Sequence, residues 1–240
     1  MNQFNQYNDI VFDAFILHTK QKEIIERKQE IIEKILEFYN YSCSSILFIG
    51  FNPAILNWKA KEIFVAEASD KVKTYLTSRD IKFSEFDPTV NRKYDVIVAL
   101  DEYLTFSDSD ISQKNKIDSL CRYAENVIVT TVKDYKNQDF KEREYSQPAI
   151  IRNNNVLTAF TEIHDWDIKD KNAWQTAVYQ LSGMESQCKG IFARRSLFFK
   201  QLAKFSMDNG ATDFLVHKNL MYKSLIKKNY EHVISICFEH

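Results

Sequence analysis

Glycine and proline are scarce in this chain, with four and three among 240 residues. So few breakers exclude collagen-like and low-complexity architectures and leave little room for flexible linkers. The four cysteines, Cys43, Cys121, Cys188 and Cys237, form no C-x-x-C pair, which argues against a zinc ribbon or a disulfide framework and for free thiols. No apolar run approaches the roughly 20 residues that cross a bilayer. The first residues lack the basic start and apolar stretch of a secretory signal, so the expected location is the cytoplasm, with no membrane partner. A formal net charge of -1 excludes a general attraction to nucleic acid or acidic membranes, though not a local basic patch. There is no G-x-x-x-x-G-K-[ST] loop, no G-x-S-x-G elbow and no H-E-x-x-H, and no metal site is expected.

What is present is apolar and aromatic. Hydrophobic residues make up 45% and aromatics 14%, enough over this length for one domain with a full core. Residues 19–39 read as an amphipathic helix, with Ile24, Ile25, Ile31, Ile32, Ile35 and Leu36 striping one face for a sheet. Residues 46–50, 63–67, 81–86, 94–100 and 126–132 then read as strands. Helical segments are expected at 56–61, at 69–79 with Ser69 as its cap, and at 112–124. Strands alternating with helices imply a parallel sheet with right-handed crossovers.

After Lys133 the pattern changes. Residues 134–155 are polar and read as a long loop or insertion, 156–166 and 174–181 as a pair of antiparallel strands. Residues 194–207 read as a helix with Leu197, Phe198, Leu202 and Phe205 on one side, stopped by Asn209-Gly210. Residues 213–217 and 232–238 would be the last strands. The expected class is α/β: a Rossmann-like, mostly parallel sheet flanked by helices, with an antiparallel C-terminal part. It forms one domain, 1–240, with an N-terminal helical region (1–40), a cofactor-binding half (45–133) and a substrate-side half (134–240).

The first strand, Ser45-Ile46-Leu47-Phe48-Ile49, runs straight into the turn Gly50-Phe51-Asn52-Pro53-Ala54. An apolar run without alternation suits a strand covered on both faces, and open α/β sheets bind ligands at the carboxyl ends of their strands. The order of elements and this turn resemble class I S-adenosylmethionine-dependent methyltransferases, whose first strand ends in hydrophobic-acidic-x-Gly-x-Gly-x-Gly. Gly50 stands at the first glycine, Phe48 at the acidic position, and Asn52 and Ala54 at the other two glycines.

The resemblance implies S-adenosylmethionine as cofactor. Gly50, Phe51, Asn52, Pro53 and Ala54 would hold its methionine part, Glu67 the ribose hydroxyls and Asp87 the adenine amine. It implies methyl transfer to an unidentified acceptor, with Asp101 and Glu102 after the fourth strand, or His164, as general base for a hydroxyl or similar acceptor. Plainer readings stand beside these. Glu67 can cap the next helix, Asp87-Pro88 can be a turn pair, Asp101 and Glu102 can be helix-start acids, and His164 can sit at an exposed strand end. An Asn/Asp-Pro-Pro-Tyr/Phe tetrad is missing from the fourth strand, which disfavours DNA base amino-methylation.

Two other patterns bear on function. Lys133, Asp101 and Glu162 partly match the Lys-Asp-Lys-Glu set of ribose 2'-O-methyltransferases, but no residue supplies the first lysine. Arg194, Arg195, Lys200, Lys204, Lys218, Lys223, Lys227 and Lys228 make the C-terminal third basic, with Tyr222 and Tyr230 interleaved, as suits phosphate contact and base stacking. The alternative to an enzyme is therefore a non-catalytic Rossmann-like module that contacts a protein or nucleic-acid partner. A Rossmann-like enzyme using a different nucleotide is a third reading.

Overall fold

A computed structural model describes residues 3–133, 142–153, 156–227 and 230–238. Helices α1 (Gln3–Leu17) and α2 (Gln21–Tyr39) come first. Then β1 (Ser45–Ile49), β2 (Glu62–Ala66), α3 (Asp70–Ser78), β3 (Ser84–Glu85), β4 (Tyr94–Ala99), α4 (Asp110–Tyr123) and β5 (Ala124–Val132) follow in alternation. The five strands pair in parallel in the order β3-β2-β1-β4-β5. The chain therefore builds outward one way from β1 and the other way from β4. Such a reversal leaves a crevice at the carboxyl ends of those two strands. Gly50 follows β1 and Asp101-Glu102 follow β4, so both borders of the crevice carry residues singled out above.

The strands form where expected because their side chains suit two covered faces. Ile46 and Phe48 on β1, and Val96 and Ile97 on β4, are 0% exposed, and burying such a side chain contributes roughly 1.5–3 kcal/mol. Ser69 caps α3 by accepting from the Val72 amide at 3.4 Å. The expected segment at 56–61 is instead a 3-10 turn, Pro53–Asn57. The third strand shrinks to Ser84–Glu85.

A second, antiparallel sheet follows: β6 (Arg143–Tyr145), β7 (Ala149–Asn153), β8 (Val156–Trp166), β9 (Ala173–Ser182) and β10 (Glu185–Arg195). Its order is β10-β9-β8-β6, with β7 also on β8. The polar stretch read as a loop thus holds β6 and β7; Arg143 is exposed and pairs with Asp165 at 3.0 Å. Residues 134–141 and 154–155 of that stretch lie outside the described residues. The helix expected from 194 starts later, as α5 (Phe199–Asp208). Arg194 and Arg195 finish β10, paired with Trp174 and Ala173 of β9.

The chain returns to the first sheet with β11 (Asp213–Lys223) and β12 (Tyr230–Cys237). β12 runs antiparallel to β5, and β11 antiparallel to β12, giving β11-β12-β5-β4-β1-β2-β3 overall. Helix α1 crosses between the two sheets. It buries Phe4, Tyr7, Asn8, Val11, Phe12 and Phe15, an aromatic stripe at helical spacing. Among the described residues no helix is long and apolar enough to cross a membrane.

Candidate functional site

The turn after β1 is closed by the chain itself. Gly50 has φ +74°, and a Cβ there would lie 2.8 Å from both Asn8 Cγ and Phe4 Cε1. The close approach that glycine permits is therefore made by α1. Asn8 Oδ1 accepts from the Phe51 amide, and Asn8 Nδ2 donates to the Phe51 carbonyl at 3.2 Å. The Phe51 ring packs edge-on to Phe12 at 4.9 Å and against Phe15 at 5.2 Å. Asn52 Oδ1 accepts from the Ala54 amide at 2.9 Å and so caps the following turn. All five residues from Gly50 to Ala54 are buried, and Phe48, at the acidic position, lies in the core at 0% exposure.

Both backbone polar groups of Phe51 are already held by Asn8. A ligand at this turn would have to displace Asn8 and Phe4.

Glu67 follows β2 with φ +52°, and its Oε1 accepts from the Tyr103 hydroxyl at 2.8 Å. The Lys116 ammonium lies 4.7 Å from the Tyr103 ring centroid and donates to the Phe106 carbonyl. Burial pulls this lysine down to about 8, against the pull of the Glu67 charge. With Ser112 and Asn115 these side chains line an open groove of about 450 Å³. Asp87 does not line it. Its Oδ1 accepts from the Thr89 amide at 2.8 Å and the Thr89 hydroxyl at 2.7 Å, while the Pro88 carbonyl accepts from Tyr123 at 3.1 Å. Glu67 follows β2, and Asp87 follows β3, which runs parallel to β2 with Glu85 opposite Val65. With its two bonds to Thr89, Asp87 forms a turn.

Asp101 and Glu102 adopt φ +56° and +54°, a conformation that non-glycine residues rarely take. It turns both carboxylates into a buried cluster between the sheets. Glu102 Oε2 accepts from Arg194 Nη2 at 2.8 Å and from Lys227 Nζ at 2.6 Å. Lys227 also lies 3.5 Å from Glu162 Oε2 and 3.4 Å from Glu231 Oε1. Tyr7 of α1 donates to Glu162 at 2.6 Å, and Tyr222 to Asp101 at 2.6 Å. His164 Nε2 stands 3.5 Å from Glu162, and its Nδ1 shares a bond with Thr176 at 2.9 Å. The Arg194 guanidinium stacks 3.8 Å from the Phe106 ring centroid.

The electrostatics follow from burial and pairing. Burial pulls the Lys227 ammonium down, but Glu102 and Glu162 outweigh it and hold it well above the usual lysine range. Burial pushes Glu162 up, yet Lys227 and His164 bring it below the usual carboxylate range. Burial raises Asp101 and lifts Glu231 to about 7. It lowers His164, only partly offset by Glu162. The cavity that Glu102, His164, Arg194 and Lys227 line is about 10 Å³, room for one water at most. A general base must reach a proton on its acceptor, and this cavity leaves room for little more than water beside Glu102 and His164.

No protein-family model and no curated protein matches the sequence. Solved structures do. Streptomyces venezuelae DesVI superimposes with a TM-score of 0.70 at 12% identity, over 96% of this chain and 98% of its own. The sugar N-methyltransferase KedS8 from Streptoalloteichus gives 0.66 at 7% identity, over 90% of this chain and 88% of its own. CalS10 with bound S-adenosylmethionine, an amino pentose methyltransferase from Micromonospora echinaspora, gives 0.59 at 7% identity, over 93% and 92%. The chain has the class I methyltransferase fold.

Within the methyltransferase fold, several residues sit in places their sequence neighbourhood did not suggest. His164, read beside an exposed strand end, is 7% exposed and faces Glu162. Glu162 joins the cluster, while Lys133 pairs with Glu144 at 3.4 Å. The basic C-terminal third does not form one surface. Arg194, Lys227 and Tyr222 are buried, and Arg195 is taken by Asp110 and Asp170. Lys200, Lys204, Lys218, Lys223 and Tyr230 are exposed, and Lys228 lies outside the described residues. Sequence reasoning missed Tyr7, Asn8 and Glu231. The spacing of Phe4, Tyr7, Val11 and Phe15 was the available signal for the helix that carries the first two.

Proposed function

We propose that this methyltransferase-fold chain acts by binding rather than by methyl transfer, its first turn being given over to its own N-terminal helix. One observation carries this: Asn8 engages both backbone polar groups of Phe51 while it and Phe4 fill the space above Gly50. The 10 Å³ cavity at the cluster supports it, since the two sugar methyltransferases that superimpose on the chain carry names that imply far larger acceptors. A ligand that binds only the folded state raises its melting temperature by mass action. Millimolar S-adenosylmethionine or S-adenosylhomocysteine should leave the melting temperature unchanged. A rise of several degrees would sink the reading.

A second reading, a S-adenosylmethionine-dependent methyltransferase acting on an unidentified acceptor, is favoured by one feature. The groove beside Glu67, Tyr103 and Lys116 is open at the carboxyl edge, where the resemblance puts the nucleoside. This reading requires α1 to leave the turn. A ligand-induced rise that disappears in Glu67→Ala would support it.

A further inference from the structure

A groove of about 550 Å³ opens between α2, β7 and the β11–β12 hairpin, lined by none of the residues of the Gly50 turn. It lies near the carboxyl edge, because Lys223 pairs with Tyr230 on the hairpin and His232 pairs with Val132 at the end of β5. Its walls are aliphatic, with Ile24, Ile31, Ile150, Leu220 and Leu225. Lys28 forms its floor at 5% exposure. The Lys28 ammonium donates to the Lys223 carbonyl and stands 3.1 Å from the Tyr222 ring centroid. Tyr222 in turn donates to Asp101, so this lysine separates the groove from the charged cluster.

The rim is cationic once its pairs are removed. Lys20 takes Glu23 and Lys34 takes Glu30, which leaves Arg27 and Lys223 without a salt-bridge partner among the described residues. His18 on the same rim is held below its usual range by burial and by the Lys223 charge. An aliphatic wall beside a densely charged rim suits a ligand with one apolar and one charged end, and the volume falls within the usual range of a small-molecule site. A nucleotide would instead want stacking surfaces and partners for its base edges; here five aliphatic residues face a single tyrosine, Tyr230.

We propose that this groove binds a single-chain amphiphile with an anionic head. The alkyl chain lies against Ile24, Ile31 and Leu220, and the carboxylate or phosphate head meets Arg27 and Lys223 above Lys28. The site does not depend on how the Gly50 turn is read, because it shares no residue with it.

The test is calorimetric titration of the full chain with dodecanoate and dodecyl phosphate below their micelle concentrations, with decyl glucoside and AMP as controls. One or both anionic amphiphiles should bind in the micromolar range, and whichever binds tighter identifies the head. Decyl glucoside should bind weaker by about tenfold or more, and Arg27→Glu and Lys223→Glu should each lose about tenfold. Both substitutions are at exposed positions, and an unchanged melting temperature certifies the fold. Leu220→Trp, which fills the groove, should lose binding of the chain while the fold persists. Silence with both anions, equal affinity for decyl glucoside, unchanged affinity in both charge-reversed variants, or tighter binding of AMP would each overturn the proposal.

Discussion

Asn8 holds both backbone polar groups of Phe51, accepting from its amide and donating to its carbonyl at 3.2 Å. The bonds join residues 43 apart in sequence and dock α1 on the one turn where a methyltransferase fold would be expected to meet its cofactor.

Asn8→Ala removes both partners and leaves two buried backbone groups unsatisfied. An unsatisfied buried group costs about 1–3 kcal/mol, so the variant should lose roughly 2–6 kcal/mol of stability in urea unfolding, with an unchanged dependence on urea concentration. A loss under 0.5 kcal/mol would mean that water reaches the turn.

Gly50→Ala distinguishes a turn packed by protein from one left open for a ligand. The φ of +74° strains any other residue, and the new methyl would press on Asn8 and Phe4. Strain and overpacking each cost about 1–3 kcal/mol, so the expected loss is roughly 2–6 kcal/mol by the same measurement. An open cradle would show only the strain.

What the sequence disclosed and what it hid divide along physical lines. β1 was legible because Ile46 to Ile49 is apolar without alternation, and Ser69 because a serine cap acts over three residues. Helix α1 was legible only as part of a helical region over 1–40: its stripe is aromatic, and its polar face carries Asn and Asp, which favour caps and turns. Arg194 was misread because Leu197, Phe198, Leu202 and Phe205 mimic a helical repeat, while the inward alternation of Phe192 and Arg194 on β10 is only two residues long. The cluster was the least legible part. Glu102 meets Arg194 across 92 residues and Lys227 across 125, and only the tertiary fold brings such partners together.

Lys227→Met tests whether that cluster is held by its cation. The substitution preserves much of the side-chain volume but leaves Glu102, Glu162 and Glu231 facing one another with less positive charge. Breaking a buried pair in this way costs about 3–5 kcal/mol. Lys227→Met combined with Glu102→Gln should recover part of that loss, and the absence of any recovery would show that the two do not act as a pair.

Glu231 gives the cluster a pH dependence. Burial lifts its carboxyl from an ordinary 4.5 to about 7, so between those values the folded chain binds the proton more tightly than the unfolded chain. Its contribution is fully present below pH 4.5 and is lost as pH rises through 7. Lys28, lowered by burial from 10.5 to about 8, acts in the opposite sense, and its contribution returns between pH 8 and 10.5. The difference in melting temperature between the native chain and Glu231→Gln should therefore change from pH 4.5 to 7.5, with the native chain losing more. A difference independent of pH would contradict this.

The most direct test of the sealed turn is calorimetric titration of the native chain with S-adenosylmethionine and S-adenosylhomocysteine at 25 °C. With Asn8 seated on Phe51 no saturable heat is expected up to millimolar ligand. Saturable binding in the micromolar range that is lost in Glu67→Ala would contradict it.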